Sequence, residues 1–438
     1  MTIRSFILCF IIYHFINKCE QCSNEYPFQV HLGTRTPYRS VSNISFDKIY
    51  YNGCVSTKIW MIVRHGTRNP SVTNIEDMKN KLPKIQQLIL ENENLPNDNI
   101  KNRDLDLFRK WRTRLDIDDE TKLTHEGEEE MLLLAERMQN RFPDIFNEVY
   151  SNTTYKFRYT YSQRTKKSAL YFAAGLFGKH TAKEVWFPEP LKKDPILRFY
   201  KLCDKWRQEI KAKEKDTGQY KKFAAGFEMT DVIRNVNKRL GLQDEIDLGD
   251  IYVMYITCGF ETAWNKQSKS PWCSVFSEED FKVLEYMEDL KYYWVDGYGH
   301  ELTYQQACPA FGDMISHLDI SNQYPKATIY FTHSGTLLKM LAHMGLYKDQ
   351  EALRSTNYNK MTNRKWRTSL IDAFGTNLAF VLFNCNGNQE ILTLHQENIV
   401  RLPPCPDSDL CDYNKILDYY SHSLKKCDFT AMCNKTDD

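Results

Sequence analysis

The sequence predicts an α/β fold: a Rossmann-like, largely parallel sheet flanked by helices, with a mostly helical lobe inserted into it. Three observations carry this. A short, continuously apolar run, Ile59 to Val63, ends abruptly in Arg64-His65-Gly66-Thr67-Arg68, as a central strand covered on both faces would where it enters a cleft. Two later segments, Lys156–Gly178 and Ala327–Gly345, repeat the pattern of strand, polar junction and amphipathic helix. Between them, 179–321 is rich in Lys/Glu helical stretches such as Arg207–Asp216. The expected organisation is a signal segment at 1–22, an α/β core from 23–178 and 322–438, and a helical insert at 179–321.

In chain order, Arg4 and the apolar stretch Phe6 to Ile16 read as a secretory leader, too short to span a bilayer as a stable anchor. Of 13 cysteines, Cys9, Cys19 and Cys22 lie in or beside it, and the ten from Cys54 to Cys433 are widely spaced. That usage suits disulfides in an oxidising compartment better than a zinc site, though spacing does not give the pairing. Asn43-Ile-Ser45, Asn152-Thr-Thr154 and Asn434-Lys-Thr436 are glycosylation sequons, and Asp438 ends the chain without a retrieval signal. Secretion is the expectation. With 58 Lys+Arg against 57 Asp+Glu, net charge +1, nothing global points to nucleic acid, so any anion site must come from local clustering.

After the first strand, Thr124 is placed to cap a helix whose first turn is acidic and whose apolar face is Met131, Ala135, Met138 and Phe142. Lys156–Tyr161 alternates as a strand, Arg164 stands at its junction, and Ala169, Phe172, Ala173 and Leu176 give a helix stripe ending at Gly178. Ala327–Phe331 repeats the arrangement before His333, with Leu337, Leu338 and Leu341 behind it. His125-Glu126 and His300-Glu301 follow no strand and are rejected as site histidines. Leu378–Phe383 and Ile391–Leu394 read as a closing pair of strands.

Chemically, planar guanidiniums fit phosphate oxygens, and an imidazole nitrogen can attack phosphorus and hold the phosphoryl group covalently. The heptad Arg64–Pro70, the Ser162-x-Arg164-Thr-x-x-Ser168-Ala pattern, Leu123-Thr124-x-x-Gly127 and His333 together resemble the histidine phosphatase superfamily, in its acid phosphatase and phytase branch. Thr34–Tyr38, Leu197–Cys203, Pro271–Phe276 and Val283–Gly299 resemble the multiple inositol polyphosphate phosphatases within it. The resemblance implies that His65 is the nucleophile, that Arg64, Arg68, Arg164 and His333 bind phosphate, and that the substrate is a phosphorylated small molecule such as inositol hexakisphosphate or 2,3-bisphosphoglycerate.

No metal or other cofactor is expected: the sequence has no His-Glu-x-x-His motif, and Gly175–Lys179 has the wrong spacing for a nucleotide P-loop. Nucleic acid and a stable membrane anchor are not expected partners, and the sequence leaves oligomeric state open. One departure stands out. Where such proteins carry an acid just after the second histidine, this chain has Ser334-Gly335. The proton donor is therefore unassigned, with Asp313, Asp349 and Glu397 as candidates. A slow or inactive protein that binds phosphorylated ligands, and a broad-specificity acid phosphatase, remain alternative readings.

Overall fold

The computed structural model describes residues 27–92, 100, 102–243 and 245–434; the leader expected at 1–22 lies outside them. Seven strands form one sheet: β1 (Cys54–Arg64), β2 (Tyr155–Tyr159), β3 (Ala327–Thr332), β4 (Asn377–Cys385), β5 (Asn388–His395), β6 (Asn398–Ile399) and β7 (Leu410–Asp412). Their order is β2-β3-β1-β4-β5-β6, with β7 also on β5. The three junction strands lie side by side and parallel, whereas β4 to β7 add antiparallel pairs. The sheet is thus mixed, with a parallel core.

Side-chain alternation assigns the two faces. Along β1, Trp60 and Ile62 enter one buried cluster, and Ile59, Met61 and Val63 enter the other. The same split recurs on β4, Phe380 and Leu382 against Ala379 and Val381. The second face is covered by α1 (His125–Arg141) and α2 (Gln163–Thr181). Thr124 caps α1 by accepting from the Gly127 amide, and Ser162 caps α2 by accepting from the Thr165 amide.

Between α2 and β3 every regular element among the described residues is helical. The longest are α3 (Phe227–Leu240), α4 (Leu248–Trp264), α5 (Glu278–Asp296) and α6 (Cys308–Leu318). α4 and α5 each begin in a capping box, Asp247/Asp250 and Ser277/Asp280. Their core is continuous with the sheet: Tyr255, Trp272 and Leu284 share a cluster with Trp60 and Ile62. We propose 179 and 321 as the boundaries of this insertion. After β3 come α7 (Ser334–His343) and, near the C-terminal end, α8 (Tyr413–Lys425).

All ten cysteines from Cys54 onward are paired, as Cys54–Cys385, Cys203–Cys433, Cys258–Cys273, Cys308–Cys427 and Cys405–Cys411. Five bridges indicate an extracellular or lumenal compartment. Among the described residues no helix is long and apolar enough to cross a membrane.

Candidate active site

The register of the parallel strands sets the site. Arg64 pairs with Thr332 and Tyr159 with Phe331, so His65, Thr160 and His333 leave their strands at one level of the C-terminal edge. The ladder extends into the junction: the His65 amide donates to Thr332 O at 3.1 Å and the Thr160 amide to Phe331 O at 3.1 Å. Gly66 then lets the chain turn against Gly127, whose carbonyl oxygen would lie 2.5 Å from any Cβ at 66. Buried Glu130 fastens the turn, accepting from both the amide and the hydroxyl of Thr67 at 2.7 Å. Burial pushes the Glu130 carboxyl up to about 7.

His65 is 3% exposed. Its Nδ1 lies 2.9 Å from Gly66 O, and because a carbonyl only accepts, Nδ1 carries the proton and Nε2 keeps its lone pair. Burial first, and then Arg164, Arg64, His333 and Arg68, hold its pKa well below the ordinary histidine value. A neutral imidazole with a free Nε2 lone pair is the form that attacks phosphorus.

His333 has the opposite tautomer. Arg164 Nη2, a donor only, lies 3.4 Å from Nδ1, so Nε2–H donates to Thr160 Oγ1 at 2.9 Å. Thr165 backs that hydroxyl at 3.0 Å. Burial and the same guanidinium cluster hold His333 well below its ordinary pKa. The two imidazole centroids are 5.6 Å apart.

Arg64 is anchored from below, Nη1 donating to Thr34 O at 2.8 Å and Asp372 O at 2.5 Å, with the guanidinium 4.8 Å above Phe374. Arg68 donates to Asn69 O at 2.7 Å and stands over Phe260. Burial and mutual repulsion pull Arg68 down to about 9 and Arg164 to about 10. All five expected residues, Arg64, His65, Arg68, Arg164 and His333, line one cavity of about 280 Å³ with Arg198, Lys201 and Lys211. Such a crowd of cations is matched by a phosphate dianion.

Arg198 was not singled out from the sequence, although it lies in the Leu197–Cys203 segment. It sits in an irregular turn whose only local signal is Asp194, which accepts from the Ile196 and Leu197 amides. The three carboxylates considered as proton donors are otherwise engaged. Asp313 accepts from Trp60 Nε1, Asp349 from the Lys365 and Trp366 amides, and Glu397 from Arg137 and Tyr38. None lines the cavity.

A family model described as histidine phosphatase superfamily (branch 2) matches residues 57–402. The chain belongs to this superfamily. Within it, this histidine phosphatase is 33% identical to multiple inositol polyphosphate phosphatase 1 of Drosophila melanogaster over 88% of its own length and 84% of that protein. It is 27% identical to the Homo sapiens protein of the same name, covering 92% and 88% of the two chains. The crystal structure of the phytase from D. castellii shares the fold, with a TM-score of 0.77, 16% identity and coverage of 94% and 89%.

Proposed function

We propose that this histidine phosphatase is a secreted phosphomonoesterase that hydrolyses inositol polyphosphates, inositol hexakisphosphate among them, through a phosphohistidine at His65. The observation that carries the reading is a neutral imidazole with its Nε2 lone pair free, in a cavity lined by four arginines and two lysines. The names of the similar proteins support the substrate class, and 2,3-bisphosphoglycerate presents phosphates of the same kind. Five disulfides and the exposed sequon residues Asn43, Asn152 and Asn434 support the secretory route.

In this mechanism Arg64, Arg68 and Arg164 hold the phosphate and neutralise its equatorial oxygens as His65 attacks in line, and His333 joins them once the entering anion draws a proton onto its Nδ1. Water then cleaves the P–N bond and releases orthophosphate. Burial first, and then its cationic neighbours, hold His65 well below the ordinary histidine pKa, so the nucleophile is expected to lose activity at a lower pH than an ordinary histidine would. A ligand-binding protein with little turnover is the second reading, favoured by Ser334-Gly335 after His333. Orthophosphate release from inositol hexakisphosphate, measured from acidic to neutral pH beside His65→Ala, separates the two. Release lost in the variant supports the enzyme; binding without release supports the sequestering protein. Comparison with simple monoesters separates a polyphosphate-selective enzyme from a broad acid phosphatase.

A further inference from the structure

We infer that Asp296, at the C-terminal end of α5, is the proton donor to the departing alcohol, an assignment that rests on the phosphatase reading above. An alkoxide leaves slowly unless a proton reaches it as the P–O bond breaks. The cavity offers little to supply one. Its lining contributes Arg64, Arg68, Arg164, Arg198, Lys201 and Lys211, and among the described residues on its wall Asp296 alone is a carboxylate. It reaches the wall beside the second histidine: a Cβ built on Gly335 would lie 3.4 Å from Asp296 Oδ1 and 3.2 Å from the Tyr200 ring. The absence of a side chain at 335 therefore leaves the space next to His333 to a carboxyl from another element.

Asp296 is also held in place. Lys339, on the first turns of α7 and with a fully buried side chain, forms an ion pair with Asp296 Oδ1. The same ammonium sits 4.2 Å from the Trp206 ring centroid and 5.1 Å from that of Tyr200. Burial pulls Lys339 below its ordinary pKa while Asp296 opposes the shift. A buried lysine with one carboxylate partner fixes that carboxylate's position, holds it ionised until a proton is delivered to it, and stabilises the anion again once that proton departs. Asp372 is the nearest rival, wholly buried, but it lies behind Arg64 rather than on the cavity wall.

The step balances. The substrate phosphate enters as a monoanion and gives its proton to the Asp296 carboxylate; as the bond between phosphorus and the inositol oxygen breaks and the Nε2–P bond to His65 forms, that proton passes to the leaving oxygen, giving the free alcohol. In the second half, water attacks phosphorus and gives a proton to the Asp296 carboxylate. The P–N electron pair returns to Nε2, and orthophosphate leaves with that proton, restoring the Asp296–Lys339 ion pair.

The test compares full-length wild type, Asp296→Asn, Asp296→Asn/Lys339→Gln, Asp372→Asn and His65→Ala on two esters. One is inositol hexakisphosphate, an alkyl ester; the other is p-nitrophenyl phosphate, whose nitrophenolate departs without a proton. Asp296→Asn is expected to slow release from the alkyl ester about 100-fold or more, while the nitrophenolate burst falls by less than about tenfold. The double variant, free of an unpaired buried ammonium, keeps that selectivity. Equal loss on both esters in the double variant, unchanged alkyl ester turnover, or the selective loss appearing in Asp372→Asn would overturn the assignment. A wild type with no His65-dependent release from either ester would instead overturn the phosphatase reading, and this inference with it.

Discussion

At the residue scale the site is a problem of charge held out of water. His65→Ala removes the only proposed covalent acceptor, so phosphate release is expected to fall at least about 1000-fold while the melting temperature stays close to wild type, checked by a phosphate assay and thermal unfolding side by side. Arg164 bonds His333 and faces three other guanidiniums. Its replacement by Ala is expected to cost about 10–100-fold in kcat/KM, the range for losing a charge-assisted hydrogen bond. Asp372 gives a stability prediction. Burial, against Arg64 and Ser334, raises its carboxyl to about 7. The fold therefore favours the protonated acid: its contribution is complete below the ordinary carboxylate value and is lost as pH rises through about 7. Melts of wild type and Asp372→Asn from pH 4 to 8 are expected to diverge, the wild type losing more stability toward pH 8; parallel curves would contradict this. Arg64, His65 and His333 were legible because they stand at the ends of apolar runs, and Arg68 and Arg164 because the Arg64–Pro70 heptad and the Ser162-x-Arg164-Thr pattern carry them. Arg198 and Asp296 were not, because neither sits at a strand end and only tertiary packing brings them to the cavity.

At the element scale, the first and third strand–junction–helix units could be read because burial on both faces makes Ile59–Val63 of β1 and Ile329–Phe331 of β3 continuously apolar. The hairpin from β4 to β5 also had a local signature. Asn386-Gly387 forms a two-residue loop with positive φ at both positions, 54° and 98°, the pattern that reverses antiparallel strands. More demanding is the contact of the nucleophile turn with the start of α1. A Cβ on Gly127 would lie 2.2 Å from Thr67 O, and one on Gly66 2.5 Å from Gly127 O. Both atoms are backbone and cannot swing aside. Gly66→Ala is therefore expected to displace His65 and lower turnover by about 100-fold, with a measurable loss in melting temperature. Wild-type kinetics in that variant would refute the close approach.

For the whole molecule, the parallel trio β2-β3-β1 gathers Arg64, His65, Arg68, Arg164 and His333 at one sheet edge, and the helical segment between β2 and β3 lies over that edge with Tyr200, Tyr292 and Asp296. The sequence showed this segment's composition but not which side chains it would lend to the site, since contacts over such separations leave no local pattern. Cys203–Cys433 and Cys308–Cys427 tie the C-terminal helices to it. Replacing the Cys203–Cys433 pair by serines is expected to cost about 2–4 kcal/mol, read as a fall of several degrees by calorimetry. The most direct measurement of the whole account is rapid quenching of the wild type with radiolabelled inositol hexakisphosphate, followed by peptide mapping. The expected result is an acid-labile, alkali-stable phosphoryl label on the peptide containing His65, absent from His65→Ala. Phosphate release without such a label, or a label on another residue, would contradict covalent transfer through His65.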